Sequence, residues 1–113
     1  MKKKYLIFFL ILFLNPLAMA DPLKDAVERD VRSNKRIARD VHRNPYETLS
    51  FFGIEPNMKV VELSPGGGWY TEILASYLRE DGQLIAAHFD PSMGGFAKRI
   101  RDSFEKKLSS NSI

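Results

Sequence analysis

The sequence predicts an α/β fold in which N-terminal helices precede a β-α-β-α unit. Two short runs, residues 59–63 and 83–87, are rich in aliphatic side chains and are typical of buried strands. Apolar residues recur at helical spacing between them, and three consecutive glycines separate this stretch from the first strand. Strand, glycine turn, helix and strand in this order predict two parallel strands joined by a helical crossover.

The first twenty residues are predicted to be a secretory signal peptide. Residues 2–4 are three lysines, residues 5–14 carry no charge, and residues 18–20 are Ala-Met-Ala, the small-residue pattern of a cleavage site. A membrane anchor needs about 20 apolar residues, so this run is too short to span a bilayer. We expect cleavage after Ala20 and a periplasmic or secreted bacterial protein, with no stable membrane anchor after cleavage.

Composition excludes several classes of site and partner. The chain has 113 residues and no cysteine, which rules out disulfides, thiolate metal sites, cysteine nucleophiles and a lipid-anchoring cysteine. Of 17 Lys and Arg, three precede the cleavage site, leaving 14 cations against 14 Asp and Glu. A mature chain without net charge lacks the long-range field that attracts phosphate backbones, so no nucleic-acid partner is expected.

The length allows one domain. The expected divisions are a signal peptide over residues 1–20, a helical segment over 21–53 and a partial α/β domain over 54–113. The residue spacing contains no metal-ligand pattern, and no metal site is predicted.

The helical segment begins at a strong start signal. Asp21 supplies a side-chain acceptor and Pro22 suits the first helical position. Amphipathic spacing then predicts a helix to about Arg43, with a possible break around residues 33–34 and with its many charges facing solvent. Asn44-Pro45 ends this helix because the residue before proline avoids the α region.

Two further helical turns are predicted over residues 46–52, closed by Gly53. Residues 54–58 contain proline and asparagine at favoured turn positions and lead into the first strand. After the glycines, residues 69–80 are predicted to be helical, and Asp81-Gly82 forms the turn before the second strand.

A last helix is predicted from four apolar residues spaced by four. Phe96, Ile100, Phe104 and Leu108 would share one side of it, with Arg and Lys on the outer face. Residues 109–112 are expected to be a frayed tail.

The glycine loop is the one segment with recognisable chemistry. In parallel α/β sheets, ligands bind beyond the carboxyl ends of the strands, where the first turn meets the helix N-terminus. Glycines there let the backbone approach a ligand closely. Glu62 places a carboxylate inside an apolar strand, which is costly to bury unless a cationic or hydrogen-bonding group pairs with it.

The run Val-Val-Glu-Leu-Ser-Pro-Gly-Gly-Gly, residues 60–68, resembles motif I of the class I S-adenosylmethionine-dependent methyltransferases. That motif reads hydrophobic, hydrophobic, acid, any residue, then Gly-x-Gly-x-Gly. With the flanking stretches 39–53 and 69–74, the chain is similar to a bacterial group of secreted predicted methyltransferases over roughly residues 30–108. The resemblance implies the N-terminal part of a Rossmann-like methyltransferase fold with an incomplete sheet, and S-adenosylmethionine as cofactor.

Position by position, the resemblance implies that Glu62 lies near the methionine part of the cofactor and that Gly66, Gly67 and Gly68 lie beneath it. Ser64 stands where the first motif glycine usually is, which restricts the backbone at the tightest point of the turn. The family also has an acidic residue after the second strand that holds the ribose hydroxyls. This role is assigned to Asp90 with a small register shift, and His88 is the alternative.

A dinucleotide-binding site is the rival interpretation. Its fingerprint requires a third glycine three residues after the second, and that position is Thr71. Trp69 and Tyr70 could stack on a ligand, but packing against the sheet is the expected role. For His42 and Tyr46 a surface or packing role is expected.

The chain is shorter than the family's fold, which has seven strands where this sequence supplies about two. We therefore expect a truncated product with little or no methyltransferase activity alone, and with one edge of the first strand unpaired. The resemblance leaves the methyl acceptor open. Two alternatives stay open: a small secreted helical interaction protein without catalysis, and a sheet completed by a separate chain.

Overall fold

The computed structural model describes residues 19–29 and 32–110. The predicted signal peptide falls almost wholly on residues 1–18, outside this range. The described chain is an α/β structure with a two-stranded parallel sheet. Within the described residues, no helix is long and apolar enough to cross a membrane.

The predicted helix over residues 22–43 is three short helices, α1 (Pro22–Glu28), α2 (Asn34–Ile37) and α3 (Asp40–Arg43). Asp21 caps α1 as predicted, since its carboxylate accepts hydrogen bonds from the backbone N–H groups of Leu23 and Lys24, each at 3.1 Å. The backbone is extended at Arg29 and again at Ser33, so the break expected around residues 33–34 is present.

The next helix, α4 (Pro45–Phe51), begins one residue earlier than predicted because Pro45 itself takes the first helical position. Asn44 precedes it in a left-handed conformation. Gly53 ends it as predicted: its N–H donates to Ser50, and the N–H of Ile54 donates to Leu49. These two bonds form a Schellman motif, whose glycine must adopt positive φ.

Both strands have the predicted bounds, β1 at Lys59–Leu63 and β2 at Gln83–Ala87. They pair in parallel with Lys59 opposite Gln83 and Leu63 opposite Ala87. The connecting helix α5 covers Trp69–Tyr77, three residues less than predicted. The backbone leaves helical geometry at Leu78, and residues 78–81 form the turn into β2.

The last helix, α6 (Gly95–Ser110), follows a 3-10 turn at Pro91–Met93. It is longer than predicted because Ser109 and Ser110 belong to it, so the expected frayed tail is wrong for those two residues; residues 111–113 lie outside the described range. The buried core joins α1, α4 and α5, and its members are Leu23, Ala26, Leu49, Trp69, Ile73, Leu74 and Leu78. The N-terminal helices therefore cover the side of α5 that the sheet does not.

Candidate functional site

The glycine loop lies at the carboxyl ends of both strands. Its first residue, Ser64, donates its N–H to the carbonyl of Ala87 at 2.8 Å, which joins the loop after β1 to the end of β2. Three alternate residues have left-handed backbones: Ser64 at φ +53°, Gly66 at +56° and Gly68 at +77°. The turn thus needs residues without a steric penalty at positive φ at three places, and two of these are glycine.

Ser64 holds a conformation that costs an L-residue roughly 1–2 kcal/mol. We expect Ser64→Gly to raise the free energy of unfolding by about 0.5–1 kcal/mol, because the relieved strain exceeds the extra entropy of glycine in the unfolded chain. Urea denaturation followed by circular dichroism measures this. The matched control is Ser103→Gly in the middle of α6, which should lower stability by about 0.5 kcal/mol. A loss of stability from both substitutions would contradict the strained geometry.

Glu62 is half-buried on the side of β1 that faces α5. Thr71 donates its hydroxyl to this carboxylate at 2.5 Å, and Thr71 is itself buried. Burial raises the pKa of Glu62 above its ordinary value, and the Thr71 hydrogen bond opposes that rise. The partner that the sequence required for a buried carboxylate is therefore supplied in part by the chain, from α5.

An apolar hollow adjoins this carboxylate. Its volume is about 290 Å³, and Glu62 supplies the one carboxylate in its wall of described residues, which are Thr48, Leu49, Phe52, Ile54, Val60, Val61, Glu62, Tyr70 and Leu74. A charged group at the edge of an apolar cavity is an arrangement typical of ligand sites.

Arg36 of α2 makes hydrogen bonds to the glycine loop. Its guanidinium donates to the carbonyl of Gly68 at 2.6 Å and to that of Gly67, and it lies 3.3 Å from the carboxylate of Glu72. The indole N–H of Trp69 donates back to the Arg36 carbonyl at 3.1 Å. The loop is thus tied to α2 through both the side chain and the backbone of Arg36.

The charges of the helical segment do not all face solvent, and that prediction is wrong for Arg32, Arg36 and Asp40. Arg32 is 2% exposed and makes a two-bond ion pair with Asp40, both bonds at 2.7 Å. Arg36 is held as described above. The sequence carries a signal for this, since arginines at positions 32, 36, 39 and 43 are spaced by three or four residues and so recur on one helical face.

Trp69 is buried in the core and lies against cations as well as apolar groups. The guanidinium carbons of Arg32 and Arg43 lie 5.2 Å and 4.7 Å from the centre of its ring. Tyr70 meets it edge-on, with ring centroids 4.6 Å apart. Tyr46 donates its hydroxyl to Asp21 at 2.6 Å, which ties α4 to the start of α1.

Two residues that follow β2, Asp90 and His88, differ in exposure and in the contacts that they make. Asp90 is exposed and its carboxylate accepts the backbone N–H of Ser92 at 2.8 Å, which caps the 3-10 turn. That hydrogen bond lowers the pKa of Asp90. His88 packs edge-on against Phe104, with ring centroids 4.3 Å apart. Burial lowers the pKa of His88, and within the described chain its buried Nε2 has no hydrogen-bond partner.

Glu62 near the end of β1 is thus followed by Ser64 and the three glycines on one loop, and the parallel sheet places Asp90 on the neighbouring loop after β2. Among the described side chains, no group of three or more metal-binding residues lies close enough together to hold an ion. No protein-family model, curated protein or solved structure matches this chain. The glycine loop and the apolar cavity beside Glu62 are the grounds for assigning a function.

Proposed function

We propose that the chain binds S-adenosylmethionine at the glycine loop and represents the N-terminal part of a Rossmann-like methyltransferase fold. One observation carries the proposal. Residues 64, 66 and 68 occupy the three glycine positions of motif I, and all three have positive φ. The acid of the motif, Glu62, is half-buried and lines an apolar cavity.

The cofactor supplies an activated methyl group, and the chain's part is to hold and orient it. Glu62 would accept hydrogen bonds from the cofactor's methionine portion, since it is a partly desolvated acceptor at the strand end. Gly66 and Gly67 would present backbone to the cofactor without a side chain in the way, and Asp90 would reach the ribose hydroxyls. The loop needs no rearrangement for this role, because Arg36 already fixes the carbonyls of Gly67 and Gly68.

The test is calorimetric titration of the purified chain with S-adenosylhomocysteine. We expect the unaltered chain to bind and Glu62→Gln to weaken binding at least about tenfold, because a hydrogen bond to a charged group is worth about 1.5–3 kcal/mol. Glu80→Gln is the matched control: it removes a carboxylate that is exposed and lies in the turn after α5. Equal affinities for all three proteins would contradict the proposal.

Glu62→Gln is expected to weaken ligand binding but to increase the stability of the fold. A carboxyl group whose folded pKa lies above its unfolded value binds more protons when folded, so stability falls as pH rises above the ordinary value of 4.5. We expect the melting temperature of Glu62→Gln to exceed that of the unaltered chain at pH 7 and the two to converge near pH 4. A variant that is more stable yet binds less separates a ligand role for Glu62 from a folding role.

A second function is favoured by a specific surface. Phe51 and Phe52 are 86% and 66% exposed, with ring centroids 5.8 Å apart, and exposed aromatic pairs of this kind occur at protein interfaces. A folded, monomeric chain that binds no S-adenosylhomocysteine would favour a secreted interaction protein over a methyltransferase.

A further inference from the structure

A cavity of about 490 Å³ lies between α2, α3 and the glycine loop. Four cationic side chains line it, Lys35, Arg36, Arg39 and Arg43, and its described walls contain no acidic residue. We propose that this cavity binds a small, multiply charged anionic group, for which inorganic pyrophosphate is the simplest probe. The proposal goes beyond the proposed cofactor site and does not depend on it.

The positive charge of the cavity is poorly compensated. Arg36 lies 3.3 Å from Glu72 and is partly neutralised by it. Within the described chain, no carboxylate lies within 4.0 Å of Lys35, Arg39 or Arg43, whereas the neighbouring Arg32 makes a two-bond ion pair with Asp40. Like charges around one concave surface raise the local potential and favour an anion there.

Neutral donors face the same space. Gly66 and Gly67 line the cavity, and their N–H groups donate no hydrogen bond to any described residue. The hydroxyl-bearing residues Ser33 and Ser64 are also in its wall. The nine-residue helix α5 begins beside it at Trp69 without a side-chain cap, so its positive end adds to the field of the cations.

This arrangement also distinguishes the anion from the proposed cofactor. The sulfonium of S-adenosylmethionine is a cation that the four side-chain cations disfavour, so in the proposed cofactor site it would lie toward Glu62, which does not line this cavity. A phosphate or carboxylate group suits the cavity better. The occupant would therefore be a separate molecule or an acidic portion of one.

Trp69 is the one tryptophan in the chain and lies in the wall of the cavity, with Arg43 over its ring. Its fluorescence therefore reports on the site directly. We expect pyrophosphate, added to the full chain at constant ionic strength, to change this fluorescence with a dissociation constant below about 1 mM. Citrate titrated in the same way distinguishes a carboxylate ligand from a phosphate one, and the tighter binder identifies the natural class.

The variant for this test is Lys35→Gln with Arg39→Gln. Both side chains are exposed, so the fold should be retained, and we expect pyrophosphate binding to weaken about tenfold or more. Circular dichroism checks the fold, and each single variant, with an expected weakening of about threefold, serves if the double variant fails to fold.

The control is Lys59→Gln with Arg79→Gln, which removes the same two residue types at the opposite end of the β-α unit. Equal weakening by both double variants would mean general charge attraction and overturn the proposal, as would the absence of a fluorescence change with either anion up to 10-fold above the expected dissociation constant. Because S-adenosylhomocysteine binding is measured separately, failure of this site and failure of the cofactor site are distinguishable.

Discussion

Replacing Gly82 by alanine is expected to lower the free energy of unfolding by about 2–3 kcal/mol. An added methyl group at Gly82 would lie 2.5 Å from the carbonyl oxygen of Pro56 and 2.8 Å from that of Met58. Both obstacles are backbone, so they cannot rotate away as a flexible side chain would. The Met58 carbonyl also accepts the N–H of Gln83 at 3.0 Å, so relieving the clash would pull apart the first contact between β1 and β2.

Urea denaturation followed by circular dichroism gives this stability change directly. Gly95→Ala is the control, because a methyl group there would meet only the end of the Arg99 side chain at 3.5 Å. It should change stability by less than about 0.5 kcal/mol. If Gly82→Ala were equally neutral, the loop before β1 could not pack against the start of β2 as described.

Gly82 also illustrates why element positions were predictable and contacts were not. The pair Asp81-Gly82 signals a turn, and a turn is present. Positive φ is the usual reason for glycine in a turn, but Gly82 is not among the glycines with positive φ. The reason here is lack of space beside Pro56 and Met58, which are more than twenty residues away in sequence. Local patterns predict where the chain turns and cannot predict what lies against the turn.

The last helix shows the same limit through its periodicity. A spacing of four predicts α6, but an α-helix repeats every 3.6 residues, so residues spaced by four drift around its surface. Phe104 is buried, whereas Phe96 is 65% exposed. The drift brings Lys107 inward, where it forms an ion pair with Glu72. The sequence pattern had predicted that Lys107 lies on the outer face of the helix.

The candidate site also contains some residues that were predictable from the sequence and others that were not. Glu62 and the glycines were predictable because strand, loop and helix are contiguous in sequence. Arg36 was not, because it reaches the loop from a helix more than thirty residues away and only folding brings them together. A net charge of zero over residues 21–113 likewise hid a local concentration of cations on α2 and α3.

Replacing Glu72 by alanine is expected to lower the free energy of unfolding by about 3 kcal/mol, the lower end for breaking a buried ion pair. The Glu72 side chain is 4% exposed and contacts two cations, Arg36 of α2 and Lys107 of α6. Both cations are about one-fifth exposed, so partial access to water keeps the loss at the lower end. Burial lowers the pKa of Lys107, and the Glu72 carboxylate opposes this shift.

Glu105→Ala is the matched control. Glu105 also forms an ion pair, with Arg101 at 2.7 Å, but its side chain is 58% exposed. Exposed pairs contribute little, so we expect a change below about 1 kcal/mol. A double-mutant cycle of Glu72→Ala with Lys107→Ala should show a coupling of at least about 1 kcal/mol, and additive effects would contradict a direct pair.

The loss of stability in Glu72→Ala should be concentrated in α6. That helix buries few residues, chiefly Ala97 and Phe104, so its apolar attachment is thin and the Lys107 pair is a large share of what holds it. In Glu72→Ala we expect amide hydrogen exchange to accelerate over residues 95–110 more than over α5, which keeps Ile73 and Leu74 in the core. Phe104 also packs within 3.0–3.2 Å of the place a side chain would occupy at Gly68. Release of α6 would therefore remove Phe104 from its place beside the glycine loop. We expect the affinity of the loop for S-adenosylhomocysteine to fall in Glu72→Ala as well.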